Sequence, residues 1–244
     1  MRIFITGGTG FIGKYVVRKL KEDKNNDLFL LSKNLVDIDK WKKDVEDFKP
    51  EACIHLAWEG LPDYSAKTSI KNLKYGLDLI NMLAEIGCKT ILITGTCWEV
   101  LPQPFNAFSA AKIALHWLGE EIAKENSMNF IWARLFYVYG PGQRESSLIP
   151  HLINCKKTGN KPEIKTLEAK NDFIYVEDVA EAISMIIKKS KKSAVYDIGS
   201  GKLTKVQDIA KIIFPAANIS KIKKEIGWQP KTSIKQGIQK MIKQ

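Results

Sequence analysis

The sequence predicts an α/β chain: a doubly wound parallel sheet with a small C-terminal α/β annex. Three observations predict it. Continuous apolar strands alternate with helical patterns through the first half, as in a parallel sheet covered on both faces. A glycine-rich turn joins the first strand to the first helix. The alternation gives way at about Tyr139 to shorter, mixed elements.

The elements follow in order. Arg2–Thr6 is a short apolar strand, and Phe11 to Lys21 carries Ile12, Tyr15, Val16 and Leu20 at helical spacing. Leu28–Ser32 and, after Pro50, Ala52–Ala57 are the next strands. Leu73 to Ile86 is a helix that stops at Gly87. Thr90–Thr94 is a strand, Phe108 to Glu125 a long helix, and Phe130–Phe136 another strand. Gly140-Pro141-Gly142-Gln143 is a loop, and the chain ends in a lysine-rich helical tail. No repeat or low-complexity linker interrupts it. The expected division is a sheet domain over 1–138, to which 174–200 returns, and an annex of 139–173 and 201–244.

Of 244 residues, 45% are hydrophobic and 27% charged, which excludes wholesale disorder and collagen-like or coiled-coil architectures. No apolar run approaches the roughly 20 residues that span a bilayer. The first residues lack the pattern of a signal peptide, so the expected location is cytoplasmic, without membrane association. Cys53, Cys88, Cys97 and Cys155 form no C-x-x-C pair, and His55, His116 and His151 show no ligand spacing. Neither a metal site nor a disulfide framework is expected. The net charge of +11 invites a nucleic-acid reading, but the basic residues are dispersed and only Arg2, Arg18, Arg134 and Arg144 are arginine. Solvated lysine faces are the plainer reading, and part of the charge can serve anionic ligands such as nucleotides.

Thr6-Gly7-Gly8-Thr9-Gly10-Phe11-Ile12-Gly13 lies between the first strand and the first helix and satisfies both G-x-x-G-x-x-G and G-x-G-x-x-G. Glycines permit the tight turn and let backbone approach a pyrophosphate, while the helix N-terminus presents unpaired N–H groups and a positive dipole end. In strand–turn–helix context this is a dinucleotide-binding (Rossmann) signature. The acidic residue that would hold the ribose hydroxyls of NAD belongs at the end of the second strand, where this chain has Ser32-Lys33. A hydroxyl and a lysine there favour NADP(H) over NAD(H). The alternative is that Lys33 is a surface lysine and that Asp37 or Asp39 takes the acidic role.

The chain resembles the extended short-chain dehydrogenase/reductases, and among them the NAD-dependent epimerase/dehydratase group that acts on nucleotide sugars. The resemblance runs nearly end to end. It rests on Thr6–Gly13, Ile54-His55-Leu56-Ala57, Asn72-x-x-x-Gly76, Arg134–Gly142, Asp172-Phe-Ile-Tyr-Val-Glu-Asp-Val179, Tyr196–Gly201 and Ile226-Gly-Trp-Gln-Pro230. It implies that Gly7, Thr9, Gly10, Phe11, Ile12, Leu56, Ala57, Phe136 and Val138 bind the cofactor together with Ser32, Lys33 and Lys112. It implies a nucleotide-sugar substrate against Thr96, Trp98, Glu99, Tyr137 and Leu148. It further implies a homodimer through helices near 70–86 and 108–125, although their apolar stripes can also simply pack on the sheet.

The family's chemistry uses a Ser/Thr hydroxyl to hold the reacting carbonyl and a Y-x-x-x-K pair, in which tyrosine exchanges the proton and lysine depresses its pKa and binds the nicotinamide ribose. The resemblance places the hydroxyl on Thr96, with Cys97 there under a one-residue shift. It places the pair on Phe108-Ser109-Ala110-Ala111-Lys112, where phenylalanine stands in place of the tyrosine. Phenylalanine fills the volume and moves no proton. Three readings follow: a variant that traps its substrate, a chain that uses another acid such as Cys97 or a water, or a binding protein without catalysis. Ser109 projects about 100° around the helix and is a poor substitute. The segment between Thr96 and Phe108 is short for the family, Tyr137 replaces a frequent Asn, and Asn171 stands where an Arg often precedes Asp-Phe. The expected activity is NADP(H)-dependent reduction of a nucleotide-linked 4-keto-6-deoxyhexose in surface-polysaccharide synthesis. The alternatives are an NAD-dependent epimerase or dehydratase and a catalytically silent NAD(P)-binding protein.

Overall fold

The computed structural model describes residues 1–32, 35–100 and 106–213, with 224, 228 and 232 besides. Strands β1 (Arg2–Thr6), β2 (Asp27–Leu30), β3 (Ala52–His55), β4 (Thr90–Thr96), β5 (Asn129–Leu135) and β8 (Ala194–Ile198) form a six-stranded sheet in the order β2-β1-β3-β4-β5-β8. Every pairing in it is parallel. The direction of the strand order reverses between β1 and β3, which is where such sheets open a ligand crevice at their C-terminal edge.

Side chains alternate across the strands, so each face has its own core. Ile3, Ile5, Ile54, Leu92 and Ile131 face helices α1 (Phe11–Lys21) and α6 (Val176–Lys189). Phe4, Cys53, Ile91, Ile93 and Trp132 face α3 (Ala66–Glu85) and α4 (Ala107–Glu125). A three-stranded second sheet, in the order β6 (Tyr137–Tyr139), β7 (Lys170–Tyr175), β9 (Leu203–Lys205), carries α5 (Leu148–Thr158) and α7 (Val206–Ile213). Asp172 ties it to the turn after β8, accepting the N–H of Ser200 at 2.7 Å and that of Gly201 at 2.8 Å.

Two differences from the sequence reading have local causes. Helix α3 begins at Ala66, seven residues before Leu73, because the Ser65 side chain accepts the Thr68 N–H. Such a cap contributes about 1 kcal/mol. The polar residues of that first stretch conceal the helical period. A short helix unmarked by the sequence pattern, α2 (Lys42–Phe48), buries only Val45 of its own residues. Among the described residues all four cysteines are free and buried, no cluster of His, Cys, Asp and Glu could hold a metal, and no helix is long and apolar enough to cross a membrane. The closing Ile226–Pro230 segment lies largely outside the described residues.

Beneath the glycine turn, His55 Nδ1 lies 2.6 Å from Thr6 Oγ1. Burial, with the Lys112 charge nearby, lowers His55 to a pKa of about 3. A histidine depressed from 6.5 binds its proton less readily in the folded chain than in the unfolded one. Stability therefore falls as pH drops from 6.5 toward 3, by up to about 1.4 kcal/mol per pH unit. In urea unfolding at pH 7, 5.5 and 4, His55→Asn is expected to start less stable than the parent and to lose stability less steeply. Parallel losses in the two proteins would remove His55 as the cause.

Candidate active site

A cavity of about 700 Å³ runs from the glycine turn along the C-terminal edge of the sheet to the second sheet and the start of α5. Gly7, Thr9, Gly10, Phe11 and Ile12 line one end. Gly7 holds a φ of +72°, and a Cβ there would lie 2.6 Å from the Ala57 backbone nitrogen. A Cβ on Gly13 would lie 2.0 Å from Gly7 O, so the turn and helix close on each other only without side chains. Gly10 differs: its Cβ would meet nothing nearer than Gly7 O at 3.2 Å. No side chain caps α1 there. The turn thus offers a bare helix N-terminus and an open cradle that a Cβ would enter. That suits a pyrophosphate, so these residues fit a dinucleotide. Leu56, Ala57, Phe136 and Val138 line the cavity beyond it.

Lys112, one turn into α4, is buried and lines the same cavity. Its Nζ donates to Thr94 O at 2.7 Å and stands 4.2 Å from the centre of the Trp58 ring. Burial lowers its pKa to about 7 despite the attraction of Glu99. Trp58 is held in place through its neighbour: the Asn72 side chain accepts the Glu59 N–H at 2.7 Å and donates to Glu59 O at 3.0 Å. At Gly76 a Cβ would lie 2.7 Å from Leu115, so glycine there lets α3 and α4 touch. The Asn72–Gly76 pattern thereby places an aromatic face over a buried ammonium.

Phe108 is buried in an aromatic wall, with ring centres 5.2 Å from Trp58, 5.5 Å from Tyr64 and 5.8 Å from Trp98. Thr96 ends β4 on the cavity, and its hydroxyl accepts the Trp98 N–H at 3.4 Å. Cys97 also lines the cavity, and burial pushes its thiol up to about 11. Ser109 is buried and turned into the helix cap, its Oγ donating to Asn106 O at 3.0 Å. On the opposite side Tyr137, Leu148 and Phe173 line the cavity, and Trp98 Nε1 donates to the Tyr137 hydroxyl at 3.3 Å.

Three expectations fare differently. Glu99 does not line the cavity. One carboxylate oxygen accepts the Thr96 N–H at 2.6 Å and the other accepts Trp132 Nε1–H at 2.8 Å, so it anchors the turn instead of facing a ligand. Gly95 makes this possible, since a Cβ there would lie 2.5 Å from the carboxylate. Ser32 is exposed, lies beyond the end of β2 and does not line the cavity. Lys33 falls outside the described residues, and the carboxylate of Asp37 pairs with Lys40 at 2.9 Å.

Sequence reasoning missed Tyr64 and Arg144, which reach the cavity from loops, and Trp58, two residues beyond a matched motif. Lys112 and Arg144 are the cavity's cations among the described residues.

Comparison with known proteins places this geometry. Residues 3–199 match the model of the NAD dependent epimerase/dehydratase family. A CDP-abequose synthase of Salmonella typhimurium is 25% identical, over 99% of this chain and 97% of the relative. That alignment spans 295 positions against 244 residues here, so the relative carries segments this chain lacks. A GDP-6-deoxy-D-mannose reductase of Pseudomonas aeruginosa is 24% identical, over 99% of this chain and 96% of the relative. The crystal structure of a UDP-glucose 4-epimerase from Thermotoga maritima superposes with a TM-score of 0.79 at 22% identity, covering 98% of this chain and 96% of that one, and shares the fold. With the glycine turn, the buried lysine and the single cavity joining them, the chain belongs to the NAD-dependent epimerase/dehydratase family.

Proposed function

We propose that the chain reduces the carbonyl of a nucleotide-linked sugar, a 4-keto-6-deoxyhexose, with NADPH, in the synthesis of surface polysaccharide. The observation that carries this reading is the continuity of one cavity from the glycine cradle to Thr96, Lys112 and the aromatic wall. A relative named as a GDP-6-deoxy-D-mannose reductase aligns over nearly the whole chain, which favours reduction over isomerisation. In the sequence, Ser32-Lys33 follow the second strand where an acidic residue would favour NAD, and this favours the 2′-phosphate of NADPH.

In this reading Gly7, Thr9, Gly10, Phe11 and Ile12 hold the pyrophosphate through backbone N–H groups. Leu56, Ala57, Phe136 and Val138 line the path toward Lys112, which binds the nicotinamide ribose. When bound, the dinucleotide supplies a hydride. Thr96 holds the sugar carbonyl, Trp98 and Leu148 pack on the sugar, and Arg144 offers a positive charge to the diphosphate. Lys112, its pKa lowered to about 7 by burial, is held by Thr94 O and the Trp58 face as a binding group for the ribose. Phe108 stands at the position of the family's tyrosine. Helices α3 and α4 leave Ile70, Trp117 and Leu118 exposed, and we assign this face to a second copy of the chain.

Gly10→Ala is expected to weaken NADPH binding at least about tenfold in a fluorescence titration, with circular dichroism confirming a folded variant, since its Cβ enters the cradle beside Gly7 O at 3.2 Å. Unchanged affinity would place the cofactor elsewhere. Trp117→Lys is expected to halve the mass seen by light scattering, and a parent already monomeric would remove the dimer. The activity itself is tested on Phe108→Tyr, which restores the tyrosine–lysine pair. It should oxidise NADPH, and NADH less well, with at least one of a panel of nucleotide 4-keto-6-deoxysugars. Resident NAD released on denaturation, without net NADPH consumption, would make the protein an epimerase or dehydratase. Cofactor binding without turnover would make it a silent binding protein.

A further inference from the structure

With phenylalanine at position 108, helix α4 offers the cavity no phenol, and the reaction proposed above still requires a proton for the carbonyl oxygen. Several cavity-lining groups carry one. Glu59 does not qualify, because its carboxylate is held by Lys71 at 3.0 Å. Tyr139 shares β6 and packs on Tyr175, but its hydroxyl meets no hydrogen-bond donor among the described residues, and Tyr64 comes from a loop, its hydroxyl likewise unbonded to a described residue. Cys97 is buried, and its thiol is a poor donor to a carbonyl oxygen.

Tyr137 combines three features. It lies on β6, which pairs with β7, and its ring packs on Phe173 at 5.6 Å, so its position is set by strands. Leu135, two residues earlier, pairs in register with Thr96, which brings Tyr137 to the sheet edge beside the threonine that holds the carbonyl. Its oxygen already accepts a hydrogen bond from Trp98 Nε1, and that donor stabilises the phenolate a departing proton leaves behind.

We propose that the Tyr137 hydroxyl is the proton donor of this site, a role it takes from the opposite wall because Phe108 has no hydroxyl. The inference rests on the reductase reading. The Tyr137 O–H bond breaks as the carbonyl oxygen gains the proton, and the carbonyl carbon takes the hydride of a dihydronicotinamide, which leaves oxidised. Water then returns a proton to the phenolate. Burial raises the phenol above its ordinary value against the opposing pull of Trp98, which keeps it protonated at neutral pH. Cys97 is its titrating neighbour.

The test compares the parent with Tyr137→Phe, Tyr64→Phe, Phe108→Tyr and the Tyr137→Phe/Phe108→Tyr double variant, on NADPH and the sugar that Phe108→Tyr turns over. Removing a general acid costs about 10²–10⁴ in rate. Tyr137→Phe should lose that much kcat, with KM and NADPH affinity within about threefold, and the double variant should recover it. Tyrosinate absorbance of the unliganded proteins supplies a readout apart from turnover. One phenol titration should vanish in Tyr137→Phe, coincide with the alkaline limb of the parent's kcat, and move upward in Trp98→Phe. A rise in KM alone, or a kcat loss in Tyr64→Phe instead, overturns the assignment. An inert parent beside an active Phe108→Tyr overturns it while leaving the reductase reading intact, and inertness of both overturns the two together.

Discussion

The buried ammonium of Lys112 is the constraint around which the site is arranged. A charge taken out of water costs several kcal/mol unless it is compensated. Here the compensation is one hydrogen bond to Thr94 O, a tryptophan face 4.2 Å away and a more distant attraction to Glu99. A desolvated cation over an aromatic face gains about 2 kcal/mol. The balance remains against the charge, which is why Lys112 falls to about 7. Keeping the ammonium there dictates much else. Helix α4 must lie close on β4 and α3, and Gly119, where a Cβ would be 2.7 Å from Ile80 and 2.9 Å from Phe130, lets it do so. Trp58 must stay over the ammonium, and the buried Asn72 fixes the loop that carries it.

What the sequence revealed follows the same physics. The strands were legible because a parallel sheet buried on both faces needs unbroken apolar runs, as in Ile91-Leu92-Ile93. The glycine turn was legible because Gly7 and Gly13 occupy places that no side chain fits. Residues attached directly to strand ends, such as Thr96, Phe136 and Val138, inherit their positions from the sheet, so the family resemblance could carry them to the cavity. Tyr64 and Arg144 could not be placed so, because they arrive on loops. The path of the 57–60 loop is set by the side chain of Asn72, thirteen residues from Glu59, and periodicity carries no trace of such a bond. Glu99 shows a different limit. The resemblance put it against the substrate, but its direction depends on Trp132, a residue on another strand, and on the space left at Gly95.

The Glu99 arrangement also explains how Thr96 is held. The carboxylate bridges the backbone of Thr96 and the indole of Trp132, which itself stacks on His116 of α4 at 4.7 Å and 4°. Burial raises Glu99 while these two donors oppose it. A carboxylate with both oxygens engaged fixes the end of β4 from behind, so the Thr96 hydroxyl meets the cavity from a rigid base.

The wall built by Trp58, Tyr64, Trp98 and Phe108 gives the cavity two unlike sides. Three of these rings meet Phe108 at tilted or edge-on angles, the arrangement aromatic quadrupoles favour. A hydroxyl added at position 108 would have to find a partner in the cavity or lose about 1–3 kcal/mol of solvation. Phenylalanine removes that demand. Thr96, Tyr137 and Arg144 supply polar groups to the same cavity. A hexose that has lost its 6-hydroxyl has a matching asymmetry: a methyl group and axial C–H bonds suit the ring wall, while its carbonyl and diphosphate require hydroxyls and a cation. A fully hydroxylated sugar would bury polar groups against indole and phenyl faces without partners. Under the proposed reductase reading, such a wall would select a deoxygenated sugar face by what it leaves unsatisfied.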